Sequence, residues 1–304
     1  MPGYLRPGRS LLFQDLTCIF IVFLFSLQAN HFIMKYRLLL LLMCFALPVL
    51  AQDTTTYLEQ KDILYRSGEL TDYMKERCRL DIYYPAKQAN AAVIVWFHGG
   101  GITGGSKSIP EELKRHKMII IAANYRLSPK VSCPAYIEDA AAAVAWAFSH
   151  AGKYGGDTAK IIVSGHSAGG YLSEMIGLDK EYLAKYNIDA NRIAALFPFS
   201  GQAITHFTVR KEKGIADTQP IIDKYAPLYH VRADAPPLYL YTGDREMEML
   251  GRYEENAYLA RMMKLAGHKR TYLYEFDGFG HGDMPGPGFL LMLKQLKDLW
   301  KPRP

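Results

Sequence analysis

The stretch VSGHSAGGYL (Val163–Leu172) joins a run of β-forming residues to a run with helical spacing, and the join is a serine set between small residues. Its centre, Gly165-His166-Ser167-Ala168-Gly169, fits G-x-S-x-G. In a nucleophile elbow that pattern turns the chain sharply from strand to helix and leaves the serine strained, with glycines relieving the crowding around it. An ordinary glycine-rich turn between a strand and a helix would give the same five letters, so the rest of the chain has to decide.

On the N-terminal side, RCRLDIYYP (Arg77–Pro85) alternates like a half-buried strand. AAVIVWFHGG (Ala91–Gly100) and MIIIAANYR (Met118–Arg126) are near-continuous apolar runs, as expected of central strands covered on both faces. The charged EELKRHK between them reads as a short helix. YIEDAAAAVAWAFSHAGKYGG (Tyr136–Gly156) reads as an alanine-rich helix with a glycine stop. KIIVSG, IAALFPFSG, PLYLYTG and TYLYEFDG (starting at Lys160, Ile193, Pro237 and Thr271) supply further strands, with room for crossover helices between them. Such alternation implies an α/β protein with a mostly parallel sheet and helices on both faces. One domain covers 52–304, and 202–236 reads equally as a cap over the site or as a plain crossover.

The chain has 304 residues, 49% hydrophobic and 22% charged, which suits a globular α/β protein. Its net charge of +6 is scattered, so no nucleic-acid partner is indicated. MKYRLLLLLMCFALPVLAQD (Met34–Asp53) has a basic start, an apolar core and a small-residue exit, the layout of a secretory signal peptide cleaved after Ala51. This predicts a periplasmic or secreted protein with no membrane insertion once 34–51 is removed. Residues 1–33 are then an extension upstream of the true start, with an anchor built on Leu16–Leu27 as the rival reading. Of the cysteines beyond the leader, Cys78 and Cys133 are expected to be separate thiols.

In a parallel sheet, ligands bind at the carboxyl ends of the strands. Four candidate groups fall there: His98-Gly99-Gly100-Gly101, Gly165–Gly169, Gly243-Asp244-Arg245-Glu246 and Gly278-Phe279-Gly280-His281-Gly282. A serine hydroxyl needs a base to take its proton, and an imidazole needs a carboxylate to fix its tautomer and stabilise its charge. Serine, acid, histidine is the α/β-hydrolase chain order. Here it reads Ser167, then Glu246 or Asp244, then His281, with Glu248 as a third choice of acid. Backbone N–H groups of Gly100, Gly101 and Ala168 would form the oxyanion hole, where one donor is worth about 3 kcal/mol to the transition state. His98 shapes that loop or borders the substrate, and His166 is placed to line the pocket. Arg126, Asp139 and Asp157 read as structural charges. No histidine spacing suggests a metal.

HGGG followed by GSK, NYRLSP (Asn124–Pro129), PAYIEDAAAAVAW (Pro134–Trp146), GHSAGG and DGFGHG together resemble the α/β-hydrolase esterases of the hormone-sensitive-lipase and feruloyl/acetyl-xylan-esterase type. The resemblance implies an α/β-hydrolase fold and a cofactor-free serine carboxylesterase acting on small acyl or carbohydrate esters, including acetyl or feruloyl esters of plant polysaccharides. In those families the acid commonly stands three residues after a glycine, which selects Glu246. Relatives often carry an aromatic residue after HGGG, so Ile102 implies a different acyl-pocket wall. The alternatives are an amide hydrolase (arylformamidase or peptidase-like) on the same triad, and a binding protein of this fold that has lost catalysis.

Overall fold

The computed structural model describes residues 55–249 and 251–300; the leader and its cysteines lie outside them. Around the serine turn the strand β5 (Gly156–His166) runs directly into the helix Ala168–Leu178. β5 is central in an eight-stranded sheet of order β1-β2-β4-β3-β5-β6-β7-β8. The other strands are β1 (Tyr57–Leu64), β2 (Arg79–Pro85), β3 (Ala91–Phe97), β4 (Ile119–Ala123), β6 (Ala195–Phe199), β7 (Leu238–Gly243) and β8 (Thr271–Phe276). β1 and β2 are antiparallel to their neighbours, and the pairings from β4 to β8 are parallel. This is the architecture of the α/β-hydrolase fold.

The pleat explains the continuous apolar runs. In β3, Val93, Val95 and Phe97 enter one core, while Ala92, Ile94 and Trp96 enter the other. The first core takes the helices Ala135–His150, Ala168–Leu178 and Arg252–Leu265; the second takes Pro285–Leu299 through Phe289, Met292 and Leu296.

Two elements differ from the sequence reading. EELKRHK forms only a single 3₁₀ turn, Glu111–Leu113. YLEQKDIL, which precedes the first strand expected from the sequence, is the edge strand β1; its side chains are mostly exposed, and charged side chains on an edge hinder pairing with other chains. Residues 202–236 cross from β6 to β7 and carry the short helix Phe207–Glu212 and the 3₁₀ turn Pro227–His230. Cys78 and Cys133 are free thiols, which burial pushes up to about 11 and about 12 respectively. Asp139 is fully buried and pairs with both Arg126, at 2.7 Å, and Arg66, at 2.7 Å. Asp157 accepts the Ala159 N–H at 2.9 Å, as a turn residue does. Among the described residues no helix is long and apolar enough to cross a membrane.

Candidate active site

Ser167 sits at φ 57°, ψ −115°, a conformation that L-residues other than glycine rarely hold. Its N–H is fixed to the Phe199 carbonyl at 2.8 Å, and its own carbonyl accepts the Tyr171 N–H at 3.0 Å to open the helix. The flanking glycines are required by close approach. A Cβ at Gly165 would lie 2.5 Å from the Gly169 carbonyl and 2.7 Å from that of Phe97; one at Gly169 would run into the Phe97 carbonyl itself. The motif therefore marks where the ends of β3 and β5 press together.

Beyond β3, the HGGG loop lies against this turn: a Cβ at Gly99 would stand 3.4 Å from the Ser167 Cβ. Gly100, at φ 107°, accepts the N–H groups of Thr103 and Gly104 at 3.1 and 3.0 Å, closing the loop on itself. Ala168 opens the helix after the serine, so its N–H has no partner within that helix. His98 shapes the loop from within. Its Nδ1–H donates to the Gly99 carbonyl at 2.7 Å, its Nε2 faces Arg77 at 3.4 Å, and its ring stacks on Tyr125 at 4.4 Å. Burial pulls its pKa down to about 4, with the Arg77 charge in support. Of the two readings of His98, these bonds show it shaping the loop. The reading of Ile102 as a substrate contact is corrected: at φ 64° its side chain is fully buried in the core by the left-handed loop.

The loop after β8 brings His281 to the elbow. The His166 Nε2–H donates to the His281 carbonyl at 2.8 Å, with the rings 4.7 Å apart. Burial, with the neighbouring His281, pulls His166 down to about 4 as well.

The acid is the second correction. His281 Nδ1 meets Glu248 Oε1 at 2.5 Å; neither Glu246 nor Asp244 is its partner. After β7 the chain makes one helical turn, with the N–H groups of Met247 and Glu248 both donating to the Asp244 carbonyl, at 3.0 and 2.7 Å. Residues four apart stand on one side of such a turn, whereas residues two apart point away from each other. Glu248 is thereby carried inward and Glu246 outward into solvent. Asp244 braces the histidine loop, accepting the Gly278 N–H at 2.9 Å and the Glu246 N–H at 2.9 Å. Burial alone would raise Glu248, but His281 and the hydrogen bonds from the Met249 N–H and Ser200 hold it down at about 2.

Ser200 and Arg252 were missed in the sequence. Ser200 follows β6 at φ 49°, fully buried. Its Oγ–H donates to Glu248 Oε2 at 2.8 Å, while the same oxygen lies 2.9 Å from His281 Nδ1. Arg252, also buried, donates to the Ser200 carbonyl. The strand-end rule that picked out the other loops applies equally to FPFSG, and it was the signal available.

A family model described as BD-FAE matches residues 80–249, more than half of the chain. The chain belongs to the BD-FAE family. The matched span takes in Ser167 and Glu248 and ends before His281. The chain is similar to the Mycobacterium tuberculosis protein named "Probable carboxylic ester hydrolase LipM", at 32% identity over 50% of this chain and 41% of that one. Esterase LipC of the same organism is 26% identical over 74% of this chain and 60% of its own length. The chain thus spans less than two thirds of either relative. Among solved structures, a truncated carbohydrate esterase from gut microbiota superposes with TM-score 0.66 at 22% identity, covering 82% of this chain and 98% of that one. Apo Thermogutta terrifontis esterase 2 superposes with TM-score 0.63 at 24% identity, covering 80% and 96%. These superpositions establish the fold shared by the BD-FAE protein and those esterases.

Proposed function

We propose that this BD-FAE protein is an exported serine carboxylesterase that hydrolyses small acyl esters, including acyl esters of plant polysaccharides. The observation that carries the reading is the His281–Glu248 pair, at 2.5 Å, held by His166 beside the strained Ser167 turn. Ser167 Oγ gives its proton to His281 Nε2 and bonds to the ester carbonyl carbon. The carbonyl oxygen takes the negative charge and is received by the N–H groups of Gly100, Gly101 and Ala168. His281 returns the proton to the alcohol oxygen as the C–O bond breaks, and water repeats the sequence on the acyl-serine. Glu248 is a carboxylate throughout, fixing His281 with Nε2 free to accept and stabilising the imidazolium. The names of the mycobacterial relatives support the ester bond as substrate; export is supported by the leader, and N-terminal sequencing should find the mature chain starting at Gln52.

The test is hydrolysis of p-nitrophenyl acetate together with fluorophosphonate labelling of the full chain. Ser167→Ala should lose both, with activity down more than roughly 10,000-fold. A Ser167→Ala protein that still turns over the ester at the parent rate would overturn the assignment.

A further inference from the structure

We propose that Phe207 is the acyl-side wall of this site and restricts it to acetyl-sized acyl groups, excluding feruloyl esters; the inference rests on the esterase reading above. Phe207 opens the short helix after β6, in a segment whose other members from Gly201 to Arg210 are buried while Phe207 is half-buried. Its ring lies on the oxyanion loop, since a Cβ at Gly101 would stand 3.0 Å from the Phe207 Cζ and 3.5 Å from its Cε2. Thr208 ties the same segment to the same residue, its Oγ1–H donating to the Gly101 carbonyl at 2.5 Å.

The ring is held from behind. The Phe207 N–H donates to Gln202 Oε1 at 2.9 Å, and Gln202 Nε2 donates in turn to Glu255 Oε1 at 3.2 Å. Glu255 Oε2 accepts the Ala203 N–H at 3.0 Å. His206 stacks on the Phe207 ring at 4.3 Å and is itself backed by Tyr171 at 5.0 Å. A ring with this many ties does not swing aside for a longer chain.

The stereochemistry of the reaction says which part of the ester meets it. The alcohol oxygen must face His281, which protonates it, and the carbonyl oxygen must face the N–H groups of the loop. The fourth substituent of the carbon, the acyl chain, is then directed away from His281. Phe207, half-buried and seated on Gly101 of that loop, is the side chain assigned to meet it.

The test uses the full chain, with p-nitrophenyl acetate, butyrate and octanoate and methyl ferulate as one series and acetates of different alcohols as another. The parent should prefer acetate over octanoate by about 100-fold or more in kcat/KM, and Phe207→Ala should raise the octanoate-to-acetate ratio at least about tenfold. Phe207→Leu should fall between them, and it keeps the measurement available if the alanine variant does not fold. A ratio that does not move in a variant still labelled at Ser167 overturns the acyl wall, as does a change confined to the alcohol series. A parent that cleaves methyl ferulate as well as the acetate overturns it too. A parent that is neither labelled nor active fails the esterase reading itself, which separates the two failures.

Discussion

The two strand ends that converge on His281 are built in different ways. At the end of β5, backbone presses on backbone: Gly165 and Gly169 sit where any Cβ would strike a carbonyl of Phe97 or of the turn itself. At the end of β7 the backbone is as close only at Gly243, where a Cβ would stand 2.5 Å from the Phe279 carbonyl; past it a single helical turn decides which of three carboxylates, Asp244, Glu246 or Glu248, reaches the imidazole. A steric requirement admits one residue type, while a requirement for reach can be met by whichever acid the turn happens to carry inward. The first is fixed against substitution by packing and the second by electrostatics, so the two regions should break in different ways.

After loss of the nucleophile itself, the largest effect is expected at the acid. Glu248→Gln keeps the shape but removes the charge that stabilises the His281 imidazolium and lets Nδ1 lose its acceptor. Activity toward p-nitrophenyl acetate should fall by roughly 1,000- to 10,000-fold with the fold intact by circular dichroism. Glu246→Gln, on the exposed side of the same turn, should stay within about twofold of the parent. A larger loss at Glu246 would mean that the turn rearranges when substrate binds.

Next in size is Gly169→Ala. The added Cβ collides with backbone rather than with a flexible side chain, so β3 and the elbow must separate. Stability should fall by about 3 kcal/mol or more in urea unfolding, the range seen when a packed core is forced apart. An alanine variant as stable as the parent would show that the elbow has more slack than its contacts imply.

The same contrast explains what could be read in advance. The strands and the serine turn were legible because burial on both faces and steric exclusion leave apolar runs and glycines in fixed places. The acid was not, because G-x-x-E spacing selects Glu246 only if the chain leaves β7 extended, and here it coils. β1 was hidden by its charged edge, and Ile102 by a left-handed turn that no local letter announces. Ser200 was hidden because its partners lie 48 and 81 residues away.

The supporting histidines of the HGGG loop and the elbow give the third prediction. His98 and His166 both fall to about 4 from 6.5. The unfolded chain therefore binds protons that the native protein refuses, so their cost is absent above about pH 6.5 and grows as the pH falls toward 4, reaching about 3 kcal/mol each at most. Thermal unfolding of His98→Gln at pH 7 and pH 4.5 should show a smaller difference between the two conditions than the parent does. An equal difference would mean that the His98 ring already accepts a proton in the native loop.

The smallest effect tests whether the acid side needs more than the acid. Ser200 holds φ 49°, where glycine would be the easier residue, so its presence there has to be explained by its hydroxyl. That hydroxyl donates to Glu248 Oε2, turning the carboxylate so that Oε1 meets Nδ1, while Arg252 fixes the Ser200 carbonyl. Ser200→Gly relieves the backbone and deletes only the donor. Since a hydrogen bond to a charged group contributes about 1.5–3 kcal/mol, kcat should fall about tenfold or somewhat more, with the Tm little changed. Ser200→Ala should lose as much activity and some stability besides, because it keeps the strained φ. If the glycine variant turns over substrate at the parent rate, Glu248 is oriented by the Gly243 and Met249 N–H groups alone. The acid loop would then resemble the elbow more than the contrast allows, with its geometry written in the backbone after all.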